Sequence, residues 1–203
     1  MASLSSVDTC LPVRLLCGLE GLRQELSVAL RLRGYPPSEN AAVTLLVDAP
    51  WGYALEELPR VREAVNRVVV VTDSPCPEYW EDLWDLGAGG LLAEDVRMAE
   101  VGPALELVLS GQRLRRTPPR LTQLTVAERA LLRCNALGWN NRRIAQALGL
   151  NERTIKNGLS RIYEKLGLEN RTQAALYYWG MWRILGLEAE YGVRGRYFSP
   201  ERA

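Results

Sequence analysis

The sequence predicts an α/β, doubly wound N-terminal domain followed by an all-α domain of four helices. Two observations predict this division. Up to Gln112, short apolar runs alternate with helical patterns, and the run of four valines in Arg67–Thr72 has the length of a buried strand. Beyond Leu121, apolar residues recur only at helical spacing. Strands that alternate with helices favour a parallel sheet covered on both faces, whereas helical spacing alone favours a helical domain.

The elements of the first domain follow from its apolar runs and from the glycines that end them. The predicted strands are Val13–Cys17, Ala42–Val47, Val68–Thr72 and Leu91–Leu92, and the predicted helices are Leu19–Leu32, Leu55–Val65, Glu78–Leu86 and Val96–Ser110. A doubly wound sheet also requires a strand between Gly34 and Ala41. Because Tyr35-Pro36-Pro37 is typical of a loop, we expect that edge to be frayed or missing.

The chain is expected to have four parts. The α/β domain spans residues 1–112 and a basic, proline-rich linker spans residues 113–120, where Pro118-Pro119 resists helix formation. The helical domain spans residues 121–187, and a C-terminal extension spans residues 188–203. This extension mixes aromatic residues with arginines, and the sequence does not indicate what it contacts.

Charge is divided unevenly between the two halves. Residues 1–112 contain 8 arginines, no lysine and 17 acidic residues, a net charge of −9. The remaining residues contain 17 basic and 7 acidic residues, a net charge of +10. A basic half beside an acidic half is typical of a protein that meets a polyanion with one half only.

Several function classes are excluded by residues that are missing. The 203 residues include no histidine, which rules out Ser-His-Asp and Cys-His catalysis and argues against zinc. The cysteines form no CxxC pair, so we expect reduced thiols in a cytoplasmic protein. Met1–Thr9 lacks the pattern of a signal peptide, and no apolar run approaches the ~18–20 residues of a membrane helix. We expect no enzyme activity, no cofactor, no metal and no membrane contact.

Each of the four predicted C-terminal helices begins at a capping residue. Thr125 with Glu128 three residues later forms a capping box. The next helices are capped by Asn140 or Asn141, by Asn151 and by Asn170, and the last is expected to run from Arg171 to about Leu185.

The second and third of these helices, joined by the tight turn Gly149-Leu150, predict a helix-turn-helix. In such a motif the second helix lies in the DNA major groove. Its outward face is expected to carry Arg153, Lys156, Asn157, Ser160 and Arg161. Lysine and asparagine reach base edges, and arginine and lysine also neutralise phosphates.

The register of these residues is specific. The segments concerned are Leu124-Thr125-x-x-Glu128, Gly138-x-Asn140-Asn141-x-x-Ile144-Ala145-x-x-Leu148, Asn151-x-x-Thr154-Ile155-Lys156-Asn157 and Lys165-Leu166-Gly167-x-x-x-Arg171-Thr172-Gln173-Ala174-Ala175. Together they resemble, without a gap, the DNA-binding domain of the LuxR/NarL family. The resemblance implies that Lys156, Asn157 and Ser160 face the bases. It places near phosphates the residues Arg142, Thr154, Arg161 and Lys165.

One position departs from the family pattern. The family usually has histidine where this chain has Gly158. Glycine inside a helix costs about 1 kcal/mol relative to alanine. We expect either a softer recognition helix or a closer approach to the DNA backbone.

LuxR-type domains commonly follow a receiver domain, and the first domain resembles a receiver in layout. Gly87-Ala88-Gly89-Gly90-Leu91-Leu92 is similar to the segment that enters the fifth receiver strand. Thr72 stands where receivers carry Thr or Ser, and Asp48 stands near the phosphoacceptor position.

The residues that support phosphorylation in receivers are replaced. Cys17-Gly18 occupies the place of the paired acids that hold Mg²⁺ through oxygen ligands. Ala93-Glu94-Asp95 occupies the place of the lysine that pairs with the phosphoryl group in receivers. Negatively charged side chains therefore replace a positively charged one, which is unfavourable for a phosphoryl group. The resemblance therefore implies an atypical receiver in which Asp48 is a vestigial phosphoacceptor.

The sequence thus predicts a transcriptional regulator that binds double-stranded DNA, independent of phosphorylation and homodimeric. The apolar stripe of the helix Val96–Ser110, which contains Val101, Leu105 and Val108, is expected to be mostly core, and a dimer interface is the alternative. Tyr79, Trp80 and Trp84 are expected to form either a contact patch or core. Two other functions stay open: an interaction protein whose receiver-like domain binds a protein or a small ligand, and a sigma-like promoter-recognition factor.

Overall fold

A computed structural model describes residues 10–186, which form two compact units. The first unit contains residues 10–73 together with Leu86–Arg116. The second contains Ser74–Asp85 together with residues 117–186. The predicted extension 188–203 lies outside the described residues. These units differ from the predicted domains, because Ser74–Asp85 belongs with the C-terminal helices.

The first unit is built on a parallel sheet, so the predicted α/β class is confirmed. Its strands lie in chain order across the sheet, and each pairs in parallel with the next. They are β1 (Arg14–Cys17), β2 (Thr44–Val47), β3 (Val68–Thr72), β4 (Gly90–Ala93) and β5 (Leu114–Arg116). Every residue of β2, β3 and β4 is buried, as expected for strands covered on both faces.

Two edges of this sheet differ from a regular doubly wound fold. Between Gly34 and Ala41 the described chain forms one isolated parallel bridge, Val13 to Pro37, so the expected strand is reduced to a single contact. At the other edge, β5 lies inside the segment predicted as a linker. Each residue of β5 is half-buried, and β5 pairs with β4.

The helices of the first unit follow the prediction except in one segment. They are α1 (Glu20–Arg31), α2 (Tyr53–Glu57), a 3-10 helix (Arg62–Arg67) and α4 (Met98–Leu109). The single helix predicted over Leu55–Val65 is wrong. Pro59 stands in the gap between α2 and the 3-10 helix, and proline cannot supply the backbone donor that a continuous helix needs there.

The core of the first unit includes the apolar stripe of α4. Val101 and Leu105 are at most 1% exposed and pack with β1, β2 and β3 residues in one cluster. Val108 is fully buried as well. The stripe is therefore core, and it is not available as a dimer seam.

The Gly89-Gly90 segment has little or no space for side chains. A Cβ on Gly89 would lie 2.0 Å from the backbone oxygen of Asn66, and a Cβ on Gly90 would lie 3.1 Å from the side chain of Val69. Because a backbone atom cannot yield as a side chain does, only glycine fits at position 89.

The second unit is all helical. It contains α3 (Pro77–Asp85), α5 (Val126–Ala136), α6 (Asn141–Leu148), α7 (Glu152–Lys165), α8 (Arg171–Tyr178) and α9 (Trp182–Leu185). The last predicted helix is wrong in its length, since α8 ends at Tyr178 and α9 begins at Trp182. Gly180 lies between them with a φ of 69°, a left-handed conformation that ends a helix.

The predicted caps are confirmed. Thr125 and Glu128 form the reciprocal capping box of α5. The side chain of Asn140, rather than Asn141, accepts a hydrogen bond from the N–H of Arg143 at the start of α6. Helices α7 and α8 are capped by Asn151 and Asn170. Such caps satisfy N–H groups that a helix start leaves without partners.

Candidate nucleic-acid interface

The turn between α6 and α7 gives the helix-turn-helix its shape. Gly149 adopts a φ of 67°, and the N–H of Leu150 donates to the carbonyl oxygen of Ala145 at 2.9 Å. The N–H of Thr154 then donates to the side chain of Asn151 at 2.8 Å, which begins α7 at once. The two helices are thereby held in a fixed relation by local hydrogen bonds.

The inner faces of the two helices are apolar and closed to solvent. Ile144 on α6 and Ile155 and Ile162 on α7 are fully buried, and Leu159 is 4% exposed. This spacing of three and four residues orients one face of α7 inward and leaves the opposite face free.

The predicted DNA-contacting residues of α7 all lie on its solvent face. The exposed positions are Arg153, Thr154, Lys156, Asn157, Ser160 and Arg161. Two hydroxyls are engaged locally: that of Thr154 donates to Asn151 at 3.0 Å, and that of Ser160 donates to the carbonyl oxygen of Lys156 at 3.1 Å. The longer cationic and amide side chains therefore extend farthest from the helix and are the groups best placed to reach DNA.

The remaining predicted contacts, Arg142 and Lys165, have different surroundings. Arg142 is exposed on α6. The ammonium of Lys165 instead donates to both carboxylate oxygens of Glu128, at 2.7 and 2.8 Å. This contact, with the backbone hydrogen bond from Thr125, lowers the pKa of Glu128. Lys165 thus fastens the end of α7 to the start of α5, and its charge is already partly neutralised.

The start of α6 carries an arrangement that sequence reasoning missed. The guanidinium of Arg143 lies 4.2 Å from the ring centroid of Trp139, within the range of a cation–π contact. Arg171 on α8 donates to the carbonyl oxygen of Trp139 and, at 3.3 Å, to the side chain of Asn141. The four-residue spacing of Trp139 and Arg143 is the local signal from which this contact follows.

Gly158 has a packing explanation. A Cβ at this position would lie 2.7 Å from Cδ1 of Leu131, a residue of α5 that is 7% exposed. The glycine therefore faces α5 inside the unit. The expectation that Gly158 permits a closer approach to DNA is wrong.

Asp48, which the sequence predicts as a vestigial phosphoacceptor, is enclosed in the first unit. Asp48 follows β2 and is 3% exposed. Its Oδ2 accepts a hydrogen bond from the hydroxyl of Thr72 at 2.8 Å, and its Oδ1 accepts one from the N–H of Ala54 at 2.9 Å. Both oxygens of this carboxylate are thus hydrogen-bonded within the unit.

The segment Cys17-Gly18, expected to stand where receivers have their paired acids, leaves no space for a side chain at Gly18. A Cβ on Gly18 would lie 2.9 Å from both the carbonyl oxygen of Ala49 and the ring of Tyr53, so an acidic side chain does not fit there. Burial raises the pKa of the neighbouring Cys17 thiol. Among residues 10–186 there is no group of three or more His, Cys, Asp or Glu side chains that could hold a metal ion.

None of the helices described between residues 10 and 186 has the length and apolar character that a bilayer crossing requires.

A capped helix-turn-helix with an exposed, cationic outer face defines the class of DNA-binding modules. Over residues 122–178 the sequence matches the family described as bacterial regulatory proteins, luxR family. The DNA-binding transcriptional activator DevR/DosR of Mycobacterium tuberculosis (strain ATCC 25618 / H37Rv) is 30% identical over 172 residues, which cover 74% of this chain and 78% of that protein. The chain belongs to the LuxR/NarL family of response regulators, and it is a DNA-binding transcriptional regulator rather than an enzyme.

Other relatives agree with this assignment. The uncharacterized transcriptional regulatory protein YvfU of Bacillus subtilis (strain 168) is 34% identical over 128 residues, which cover 59% of this chain and 62% of YvfU, less than two thirds of its length. A solved structure of two RcsB dimers bound to two parallel DNAs aligns with a TM-score of 0.54 at 16% identity. That alignment covers 82% of this chain and 96% of the RcsB chain, and it shows a common fold.

Proposed function

We propose that this regulator binds specific sites in double-stranded DNA through the solvent face of α7, as a homodimer, and without aspartyl phosphorylation. The observation that carries the proposal is the exposed row of polar and cationic side chains on a helix whose opposite face is buried. Since its ligand is chromosomal DNA, we also propose that it acts in the cytoplasm.

The proposal divides the DNA-contacting residues into two groups. Lys156, Asn157 and Ser160 would face base edges and supply specificity. The phosphate contacts would come from Arg142, Arg153, Thr154, Arg161 and Lys165. Of these, Lys165 would have to share its charge with Glu128, so we rank its contribution lowest.

Dimerisation is proposed from the requirements of DNA binding. One helix-turn-helix covers only a half-site, and two linked modules gain affinity because the second binding event is intramolecular. Dimerisation is tested by sedimentation velocity of the full chain with and without an operator duplex. A complex containing one protein chain per palindromic duplex, even at saturating protein, would count against the dimer.

Independence from phosphorylation is supported by the enclosed Asp48 and by the lack of space at Gly18. The full chain should therefore keep its mass and its DNA affinity after incubation with acetyl phosphate and Mg²⁺. A stoichiometric phosphoprotein that is stable in acid and labile in alkali would contradict the proposal. If phosphorylation does not regulate the protein, the regulatory signal would be a contact of the first unit with a protein or a small ligand.

Genome-wide mapping of bound sites tests the function as a whole. The parent chain should enrich a set of sites that share a sequence motif, and the Lys156→Ala variant, expressed at the same level, should lose most of that enrichment. Enrichment that is unchanged in the variant would reject α7 as the DNA-contacting helix.

A further inference from the structure

Helix α3 lies between β3 and β4 in the sequence but belongs to the second unit in space. It contacts α5, and it contains two carboxylates that are almost completely buried, Glu78 at 1% and Asp82 at 3% exposure. Buried carboxylates are costly unless hydrogen bonds and opposite charges compensate them. Their partners therefore show what holds this helix in place.

Each carboxylate binds one of two adjacent tyrosines on α8. The hydroxyl of Tyr177 donates to Oε2 of Glu78 at 2.9 Å, and the hydroxyl of Tyr178 donates to Oδ2 of Asp82 at 2.6 Å. Glu78 and Asp82 are four residues apart, so they lie on the same face of α3. The segment before α5 adds a third contact, since the hydroxyl of Thr122 donates to Oε1 of Glu78 at 2.8 Å.

Helix α5 contributes the opposite charge. Nη1 of Arg133 lies 3.1 Å from Oδ1 of Asp82, and Nη2 of Arg129 donates to Oδ2 of Asp85 at 2.5 Å. The Arg129 side chain is only 8% exposed. The Arg129 guanidinium is therefore buried beside carboxylates of α3, and removal of one partner of a buried ion pair is among the more costly defects in a protein.

The apolar side chains of α3 are also buried in the second unit. Tyr79, Trp80 and Leu83 are fully buried. The ring of Tyr79 lies 5.5 Å from the ring of Tyr178 in an edge-to-face arrangement, and the guanidinium of Arg120 lies 5.6 Å from the ring of Trp80. Of the three aromatic residues expected to form either a contact patch or core, Tyr79 and Trp80 are core of the second unit, and Trp84 is half-buried.

The contacts of α3 lead to the recognition helix without covering it. Helix α5 contacts both α8 and α7, Leu131 on α5 fills the space beside Gly158, and Glu128 holds Lys165. Meanwhile Lys156 and its polar neighbours on α7 remain exposed. An inhibitory helix would cover that face, whereas a supporting helix would pack as α3 does.

We infer that α3 is a positioning element of the DNA-binding unit, so that its detachment from α5 and α8 weakens DNA binding. Helix α3 is joined at both ends to strands of the first unit, so the connection between β3 and β4 supplies one supporting helix of the DNA-binding unit. This inference rests on the proposed function. It names Glu78 and Asp82 as positioning residues, since they act through α8 and α5.

The test compares two truncations in the full chain. Asp82→Ala removes a contact of α3, and Leu26→Ala removes a fully buried side chain from the core of the first unit as a matched control. Hydrogen exchange of backbone amides is measured at a temperature at which both variants are folded. At the same temperature, affinity is measured for an operator duplex, meaning a duplex that contains the motif enriched in the genome-wide mapping. Asp82→Asn, which retains an oxygen that can accept from Tyr178, serves as the conservative variant.

The inference predicts faster exchange in α5 and α8 and about tenfold weaker DNA binding for Asp82→Ala, with partial recovery for Asp82→Asn. It predicts that Leu26→Ala speeds exchange in the first unit only and changes affinity by less than about twofold. Unchanged exchange in α5 and α8, unchanged affinity, or tighter binding by Asp82→Ala would overturn it. If the parent chain itself binds no specific duplex, the proposed function fails, and the exchange data still decide whether α3 supports the unit.

Discussion

Asp48 in the first unit and Asp82 in the second are equally buried, each 3% exposed, but they serve different purposes. Asp48 is held by a hydroxyl and a backbone N–H from neighbouring segments of its own sheet and helix. Asp82 is held by a phenol and a guanidinium that lie on two separate helices. Asp48 therefore joins segments that are close to one another in the chain, whereas Asp82 joins segments that are far apart in the chain.

The two carboxylates therefore have different consequences for stability and for DNA binding. Asp48 is enclosed, and both of its carboxylate oxygens accept hydrogen bonds within the first unit. The contacts of Asp82 connect α3 to α8 and α5, so that a change in α3 alters the surroundings of the DNA-binding helices. Substitutions at the two positions should therefore separate stability from DNA affinity.

The largest effect is expected at Asp48. Asp48→Ala would remove the acceptor of two buried hydrogen bonds, those from the Thr72 hydroxyl and the Ala54 N–H, and the loss of a buried hydrogen-bond partner costs about 1–3 kcal/mol. We expect the first unit to lose about 3 kcal/mol of its free energy of unfolding. This loss is measured by hydrogen exchange of the backbone amides of the first unit at increasing urea concentrations. DNA affinity should stay within about twofold of the parent.

The control for this substitution is Asp95→Asn, at an exposed position with a φ of 46°, which asparagine tolerates. It should leave stability unchanged. A phosphorylation-dependent protein would behave differently, because Asp48→Ala would then abolish a gain in DNA affinity produced by acetyl phosphate.

The next effect concerns pH. Burial raises the pKa of Asp82 to about 6, although Arg133 and the Tyr178 hydroxyl pull it down. The folded state therefore binds more protons than the unfolded state between pH ~4 and ~6, and the stability this provides is present below that range and is lost as pH rises through it. Compared with Asp82→Asn, the parent chain should lose about 2–3 kcal/mol of its free energy of unfolding between pH 4 and pH 7.

The measurement is urea denaturation of both proteins across that range, followed by tryptophan fluorescence, since five of the six tryptophans lie in the second unit. Only the difference between the two proteins is compared, since other groups titrate equally in both. A difference that is constant with pH, or that changes in the opposite direction, would show that Asp82 is not a buried acid in this unit.

The smallest effect is expected at Gly158. Alanine would gain about 1 kcal/mol of helix propensity, but its Cβ would press on the flexible end of Leu131. We expect a change of less than about 1 kcal/mol in stability and less than about twofold in DNA affinity. If Gly158→Ala instead weakened binding strongly without loss of stability, this position would face the DNA and not α5.

Local signals in the sequence predicted the second unit well. Thr125, Asn151 and Asn170 were correctly identified as caps, because a cap and its partner lie within three residues of one another. Lys156 and its neighbours were correctly placed on the solvent face, because helical periodicity fixes which residues point inward.

Contacts between distant residues were not predictable in the same way. The hydrogen bond from Tyr177 to Glu78 joins residues 99 positions apart, and no periodicity or spacing specifies such a pair. For the same reason α3 was assigned to the first domain. Strand β5 was missed because its Leu114–Arg116 sequence is short, arginine-rich and half-buried, without the apolar run that identifies the inner strands.

The role of α7 in DNA binding is tested by measuring the affinity of the full chain for an operator duplex, by fluorescence anisotropy over a range of salt concentrations. Lys156→Gln is compared with Arg33→Gln, which removes the same charge from an exposed position of the first unit. We expect binding that weakens steeply with salt and a loss of about 1–3 kcal/mol of binding free energy for Lys156→Gln, with little change for Arg33→Gln. Equal affinities for the two variants would contradict the assignment of α7 as the DNA-contacting helix.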